Sequence, residues 1–275
     1  MSYKKGVDVS KFQGEIDWET VKASGIDFAI IQAGLGQGHI DPQYERNISE
    51  CNRLGIPCGV YWFSYAYTPE WAAKEAEYCL SAIAPYKLDY PICFDFEYDS
   101  VSWAQKNGVT VTKELATEIV TAFCGAIEAT GHWVMNYSNP DFLNRYFDSS
   151  LMERFDLWYA QYPNSPDPDN PPRSCGIWQY TSAGSIDGIS GSVDCNAAYK
   201  DYVQTDIKES EDEDMATRYN TIDEVPEYAK VTVQKLVTAG ALKDGNAATA
   251  EADALNLSED MLRVMVINDR MGLYK

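Results

Sequence analysis

From residue 6 to about residue 200 the chain alternates between two hydrophobic rhythms. Short apolar runs of strand length are followed by longer runs with apolar residues at helical spacing. "GVDVS" precedes "DWETVKASG", and "DFAIIQAG" precedes "DPQYERNISECNRLG". "IPCGVYWFS" precedes "TPEWAAKEAEYCLSAIAPY", "YPICFDFE" precedes "VTKELATEIVTAFCGAIEATG", and "HWVMNYS" precedes "NPDFLNRYF". Asp41-Pro42, Thr68-Pro69 and Asn139-Pro140 each place a capping side chain before a proline suited to the first helical position. Gly25, Gly55 and Gly131 close helical runs just before strands. Repeated strand–helix order with short connections predicts parallel strands and right-handed crossovers.

Three further strand candidates, "FDLWYAQY", "CGIWQYT" and "SVDCNAA", follow with little helix between them. They bring the total to eight, the number that closes a small barrel. The expected fold is α/β: an irregular (β/α) barrel whose helical layer is complete only over its first half, with a small α-helical module after it. The catalytic-sized unit spans 1–204. Residues 205–216, within "TDIKESEDEDMA", are acidic and nearly free of bulky apolar groups, and read as an exposed linker. Residues 217–275 carry two amphipathic patterns, "VPEYAKVTVQKLVTAG" and "LSEDMLRVMVINDRMG". Ser258 is placed to cap the second, with Leu257 and Leu262 as a hydrophobic staple. Their apolar faces, Val233, Leu236 and Val237 on one and Leu262, Val266 and Ile267 on the other, exceed what two helices enclose. Self-association or binding of an external ligand is expected ahead of docking on the barrel.

Composition narrows the function. The 275 residues carry a formal net charge of −20, which argues against nucleic acid and against anionic membrane surfaces. No run approaches the ~20 apolar residues of a membrane span, and the N-terminus lacks a signal-peptide pattern. The expectation is a protein made in the cytoplasm, either released or secreted to act elsewhere. Seven cysteines without a CxxC pair, and only two histidines, leave little material for a disulfide scaffold, a zinc site or a histidine triad.

The chemistry is carried by acids. In "PICFDFE", Asp95 and Glu97 sit two apart in an otherwise apolar run, where burying a charge is costly unless it is paired or used. Two apart on a strand means one face, with Cα atoms about 6.5 Å apart, and functional groups of a parallel barrel gather at the carboxyl ends of its strands. Asp8 ends the first strand and Asp194 lies in the last, which barrel closure makes neighbours. Crowded carboxylates raise one another's pKa, so one stays protonated near neutral pH, as a general acid at a glycosidic oxygen requires. Tyr61, Trp62, Tyr137, Trp158 and Trp178, with Gln32, Gln179 and Asn196, are candidate sugar contacts. A divalent cation held by the acids is the competing use of such a cluster.

"GVDVSKFQGEIDW", "GVYWFSYA", "FDFE", "LWYAQY", "IWQYTS" and "VDCN" resemble, in order, the motifs of glycoside hydrolase family 25, the Chalaropsis-type lysozymes of phage endolysins and Gram-positive autolysins. The resemblance covers roughly residues 3 to 203. It implies a flattened (β/α) barrel that acts at the bacterial wall on peptidoglycan glycan strands, cleaving the β-1,4 bond between N-acetylmuramic acid and N-acetylglucosamine. By motif, Glu97 matches the catalytic acid/base, Asp95 a residue that assists the substrate or the developing positive charge, and Asp8 and Asp194 the remaining acids. No metal and no cofactor are implied. Phe12 stands where many members carry Trp. "VPEYAKVTVQKLVTAGALKDG" resembles half of a surface-layer homology repeat, a wall-binding unit. Three alternatives remain: a chitinase-like glycosidase, although Cys93 occupies the place of that signature's additional Asp; an inactive wall-binding barrel; and a metal-dependent hydrolase.

Overall fold

The structure is a computed structural model in which residues 3–203, 218–239, 242, 257, 258, 262 and 265 are described. The chain divides into two compact units, Met1–Gln204 and Thr205–Lys275.

The strands of the first unit are β1 (Lys4–Val9), β2 (Phe28–Leu35), β3 (His39–Ile40), β4 (Cys58–Phe63), β5 (Ile92–Asp95), β6 (Val134–Ser138), β7 (Asp156–Ala160), β8 (Ile177–Gly184) and β9 (Val193–Ala198). They lie in the order β1-β9-β8-β7-β6-β5-β4-β2, and β1 also pairs with β2, which closes eight strands into a barrel; β3 is a short outer addition to β2. Seven barrel strands run parallel. β9 is antiparallel to both β8 and β1, so the all-parallel expectation fails at this strand. The physical reason is the connection. The segment from 185 to 192 holds no helix, and without a crossover the chain can only turn back beside the strand it has left.

The helices are α1 (Trp18–Ala23), α2 (Tyr44–Leu54), α3 (Pro69–Ile83), α4 (Tyr98–Lys106), α5 (Lys113–Glu128), α6 (Pro140–Arg145) and α7 (Ser150–Arg154). None lies between β7 and β9, so the helical layer is incomplete there. Thr68 and Asn139 cap α3 and α6, accepting from the Trp71 and Phe142 amides, with Pro69 and Pro140 in the first turn. Asp41 behaves differently from the expected cap: α2 starts after Gln43, and Asp41 instead accepts from the Gln43 amide at 2.9 Å and the Lys11 amide at 3.0 Å. Gly55 ends α2 at φ 65°, where a side chain would be strained. The helix α4 has no counterpart in the sequence-based expectation.

Period-two alternation divides the strand residues between two cores. In β5, Ile92, Phe94 and the following Phe96 pack outward against the helices, while Cys93 points into the barrel. In β2, Ala29 and Ile31 face out, while Phe28 and Ile30 face in. The barrel interior is filled from below by Phe28, Tyr90, Met135, Ile177 and Tyr202. This plug leaves polar inward positions only at the carboxyl ends of the parallel strands. All seven cysteines are free, and six of them are buried.

In the second unit, β10 (Arg218–Tyr219) and β11 (Leu257–Ser258) form an antiparallel pair, and α8 spans Glu227–Thr238. Val225, Ala229, Val233, Leu257 and Leu262 form a small buried cluster, with Val237 packed against it. The acidic stretch 205–216, Val266 and Ile267 lie outside the described residues.

Candidate active site

The strand ends bring together a pocket of about 330 Å³ whose lining includes Asp8, Asp95, Glu97 and Asp194. Asp8 is the penultimate residue of β1, and its Cα partner across the seam is Asp194, at the start of β9. Because β9 is antiparallel, its amino end is the one at the mouth. Asp95 is the last residue of β5 and 7% exposed. Glu97 lies just past the strand, as the N-cap of α4, with φ −129° and ψ −166°. That extended backbone continues the alternation of β5, which is why both acids reach one pocket.

A polar scaffold holds Asp8. Its Oδ2 accepts from Gln179 Nε2 at 2.8 Å and from Asn196 Nδ2 at 2.7 Å. Those amides are oriented in turn. Tyr137 and Tyr162 donate their hydroxyls to Gln179 Oε1 at 2.9 and 2.5 Å, and Trp158 Nε1 donates to Asn196 Oδ1 at 2.8 Å. With both amide oxygens engaged, both NH₂ groups must point at the carboxylate.

The backbone around Glu97 is tied down as well. The Glu97 amide donates to Ser100 Oγ at 3.0 Å, and that hydroxyl donates to the Ser64 carbonyl at 2.6 Å. The Ser64 amide donates to the Asp95 carbonyl at 2.8 Å. Beside this knot the buried Glu75 of α3 accepts from the Tyr65 amide at 3.1 Å. Burial raises the Glu75 carboxyl to about 7.

The four acids are shifted in one direction. Burial, then the charge of Asp194, raises Asp8 to about 7 against the opposing pull of its two amide donors. Burial, then Asp99 and Asp194, raises Glu97 to about 6. Burial, with Glu97 and Asp8 nearby, pushes Asp95 well above the usual carboxylate range. Burial also raises Asp194. The cluster therefore holds protons into the neutral range, the condition for a carboxylic acid to act as a donor.

The other candidates separate cleanly. Gln32, Tyr61, Tyr137, Trp158 and Gln179 line the pocket. Asn196 is fully buried beneath it as the partner of Asp8. Trp62 is a correction: it is fully buried in the outer core, because Tyr61 points inward and its neighbour must point out. Gly34 makes room for it, since a Cβ there would lie 2.7 Å from the Trp62 ring. Trp178, also expected at the rim, is buried with Leu157 and Tyr159.

Phe63, Tyr162 and Phe12 line the pocket without having been expected there. Phe63 follows from Tyr61 by the same alternation. Phe12 is 82% exposed on a 3₁₀ turn, Lys11–Gln13. Ser10 and Gln13 cap that turn reciprocally, and the Lys11 amide anchors it to Asp41.

A carboxylic-acid cluster in the aromatic mouth of an α/β barrel supplies the groups that glycoside hydrolysis needs. The model of glycosyl hydrolases family 25 matches residues 7–189, and the chain belongs to that family. The modular autolysin LytC of Streptococcus pneumoniae is similar in structure, with a TM-score of 0.62 and 31% identity over 72% of this chain and 47% of that one. This chain thus spans about half the length of that autolysin, which is also known with a synthetic peptidoglycan ligand. A family 25 glycosyl hydrolase from Bacillus anthracis has a TM-score of 0.60 and 25% identity, covering 72% of this chain and 89% of that one. Lysozyme M1 of Streptomyces globisporus is 28% identical over 198 residues, 70% of this chain and 66% of that protein.

Proposed function

We propose that the barrel hydrolyses peptidoglycan glycan strands at the β-1,4 bond between N-acetylmuramic acid and N-acetylglucosamine, with Glu97 as general acid and then general base. The observation that carries this reading is the meeting of Asp8, Asp95, Glu97 and Asp194 in one aromatic pocket of a family 25 barrel. Glu97, raised to about 6, keeps its proton at mildly acidic pH and sits at the rim, where a glycosidic oxygen can approach. As the bond breaks, positive charge grows on the sugar ring. Two oriented amides donate to Asp8 and favour its ionised form, against the rise that burial and Asp194 impose on it. Asp95, as buried as Asp8 and holding a buried Oδ1 with no protein partner, would meet a polar group of the sugar.

The direct test is digestion of purified peptidoglycan, reduction of the new ends, and mass analysis of the fragments. Muramitol ends support the reading. Glucosaminitol ends would make the enzyme a glucosaminidase instead.

For the second unit we propose wall attachment or self-association. Truncation after Thr205 should retain cleavage of soluble fragments and weaken lysis of whole cells. An unfolded truncated barrel would contradict this division of labour.

A further inference from the structure

Beside the catalytic pocket lies a larger groove, of about 490 Å³, that none of the roles above uses. One wall is the β2–β3 turn, including Gln37 and His39, and the floor includes Tyr65. The other wall is a single face of α4: Asp99, Ser102, Trp103 and Lys106 all line the groove. Their spacing of three, four and seven places them on one side of a helix, while Ser100, Val101 and Ala104 are buried on the other. The helix that carries the groove begins at Glu97, so groove and general acid share one rigid element. The two cavities are also joined by rings. Phe63, which lines the catalytic pocket, packs on Tyr65 at 5.2 Å, and Tyr65 packs edge-on against Trp103 at 5.9 Å.

The charges in the groove decide what it fits. Asp99 and Lys106 both form no ion pair with another described residue. Seven residues of helix separate them by about 10 Å along the axis, the span of about three extended peptide residues. An anion and a cation at that spacing, with Trp103 42% exposed between them, suit a short zwitterionic peptide. A neutral N-acetylated sugar would use the aromatic faces and leave both charges idle. We infer that this groove binds the stem peptide borne by muramic acid, with Lys106 facing a carboxylate of the peptide and Asp99 its free amine. The inference rests on the peptidoglycan reading of the adjacent pocket, and it names a peptide determinant of that site's specificity.

The test uses the full chain and the variants Lys106→Glu and Trp103→Ala on two substrates: glycan strands with their stem peptides, and the same strands stripped by an amidase. Lys106→Glu should raise KM on stem-bearing strands by about fivefold, the scale of one exposed ion pair, Trp103→Ala should raise it through loss of the ring contact, and both should leave KM and kcat on stripped strands unchanged. Equal losses on both substrates would show that the groove holds glycan, and no loss on either would show that it holds nothing; both overturn the inference. A separate titration with the N-acetylated tetrapeptide Ala-γ-D-Glu-Lys-D-Ala reads the groove without catalysis. Saturable millimolar binding to the wild type, lost in Lys106→Glu, supports the inference, and absence of binding overturns it. If the wild type cleaved neither strand, the catalytic reading would fall while this titration still decided the groove.

Discussion

Asp8 and Asp194 face each other as Cα partners across the β1–β9 seam, the place where the barrel closes. Antiparallel pairing there puts the end of one strand beside the start of the other, so two acids 186 positions apart share one rim. The charge of Asp194 raises both Asp8 and Glu97. Asp194→Asn should therefore lower the pKa of Glu97 and move the alkaline limb of the kcat/KM profile to lower pH. A limb that stays in place would show that Asp194 does not set the acid's protonation.

The raised acids also predict an unusual dependence of stability on pH. Asp8 and Glu75, at about 7, and Glu97, at about 6, lie above their ordinary values of 3.8 and 4.5. The folded state then binds more protons than the unfolded state, and unfolding free energy falls as pH rises. The contribution is full below about pH 4 and is lost as pH rises through 6 to 7. Melting temperature should climb as pH is lowered from 8 to 5, and a flat or opposite trend would contradict the assignment.

Glu75 separates hydrogen bonding from charge. Glu75→Gln keeps an acceptor for the Tyr65 amide and removes the titration, so its stability should depend less on pH between 6 and 8. Glu75→Ala leaves that amide without its partner, at a cost of about 1–3 kcal/mol, and loosens the turn next to Ser64. Chemical denaturation of both variants at two pH values checks this. Equal behaviour of Gln and Ala would contradict it.

Phe12 is exposed on a turn held from both sides, so it contributes little burial. Phe12→Ala should leave the melting temperature unchanged and raise KM for glycan several-fold, because a rim ring offers a sugar face rather than packing. A fall in stability without a change in KM would reverse the interpretation.

Much of this site was legible in the chain, for reasons that particular residues make plain. Asp95 and Glu97 stand out because they interrupt an apolar run with an interval of two, and the alternation survives past the strand end at Phe96. Asp194 was placed at the mouth by closure alone, and the antiparallel return of β9 is what brings it there, a turn that hydrophobic pattern does not encode. Trp62 follows Tyr61 in β4, and adjacent strand residues cannot share a face, so only Tyr61 reaches the pocket. The helix α4 escaped because it has only nine residues. Its apolar side consists of Val101 and Ala104, and its start is disguised as the end of a strand. Phe12 and Tyr162 lie outside regular strands, where no periodicity points to them.

Glu97→Gln removes the proton of the proposed general acid while keeping volume and an amide at the helix start. Turnover of purified peptidoglycan at pH 5 to 6, measured on protein with an unchanged melting profile, should fall by a factor of about 10² to 10⁴, the usual contribution of a general acid. Turnover close to that of the wild type would show that another group protonates the leaving oxygen.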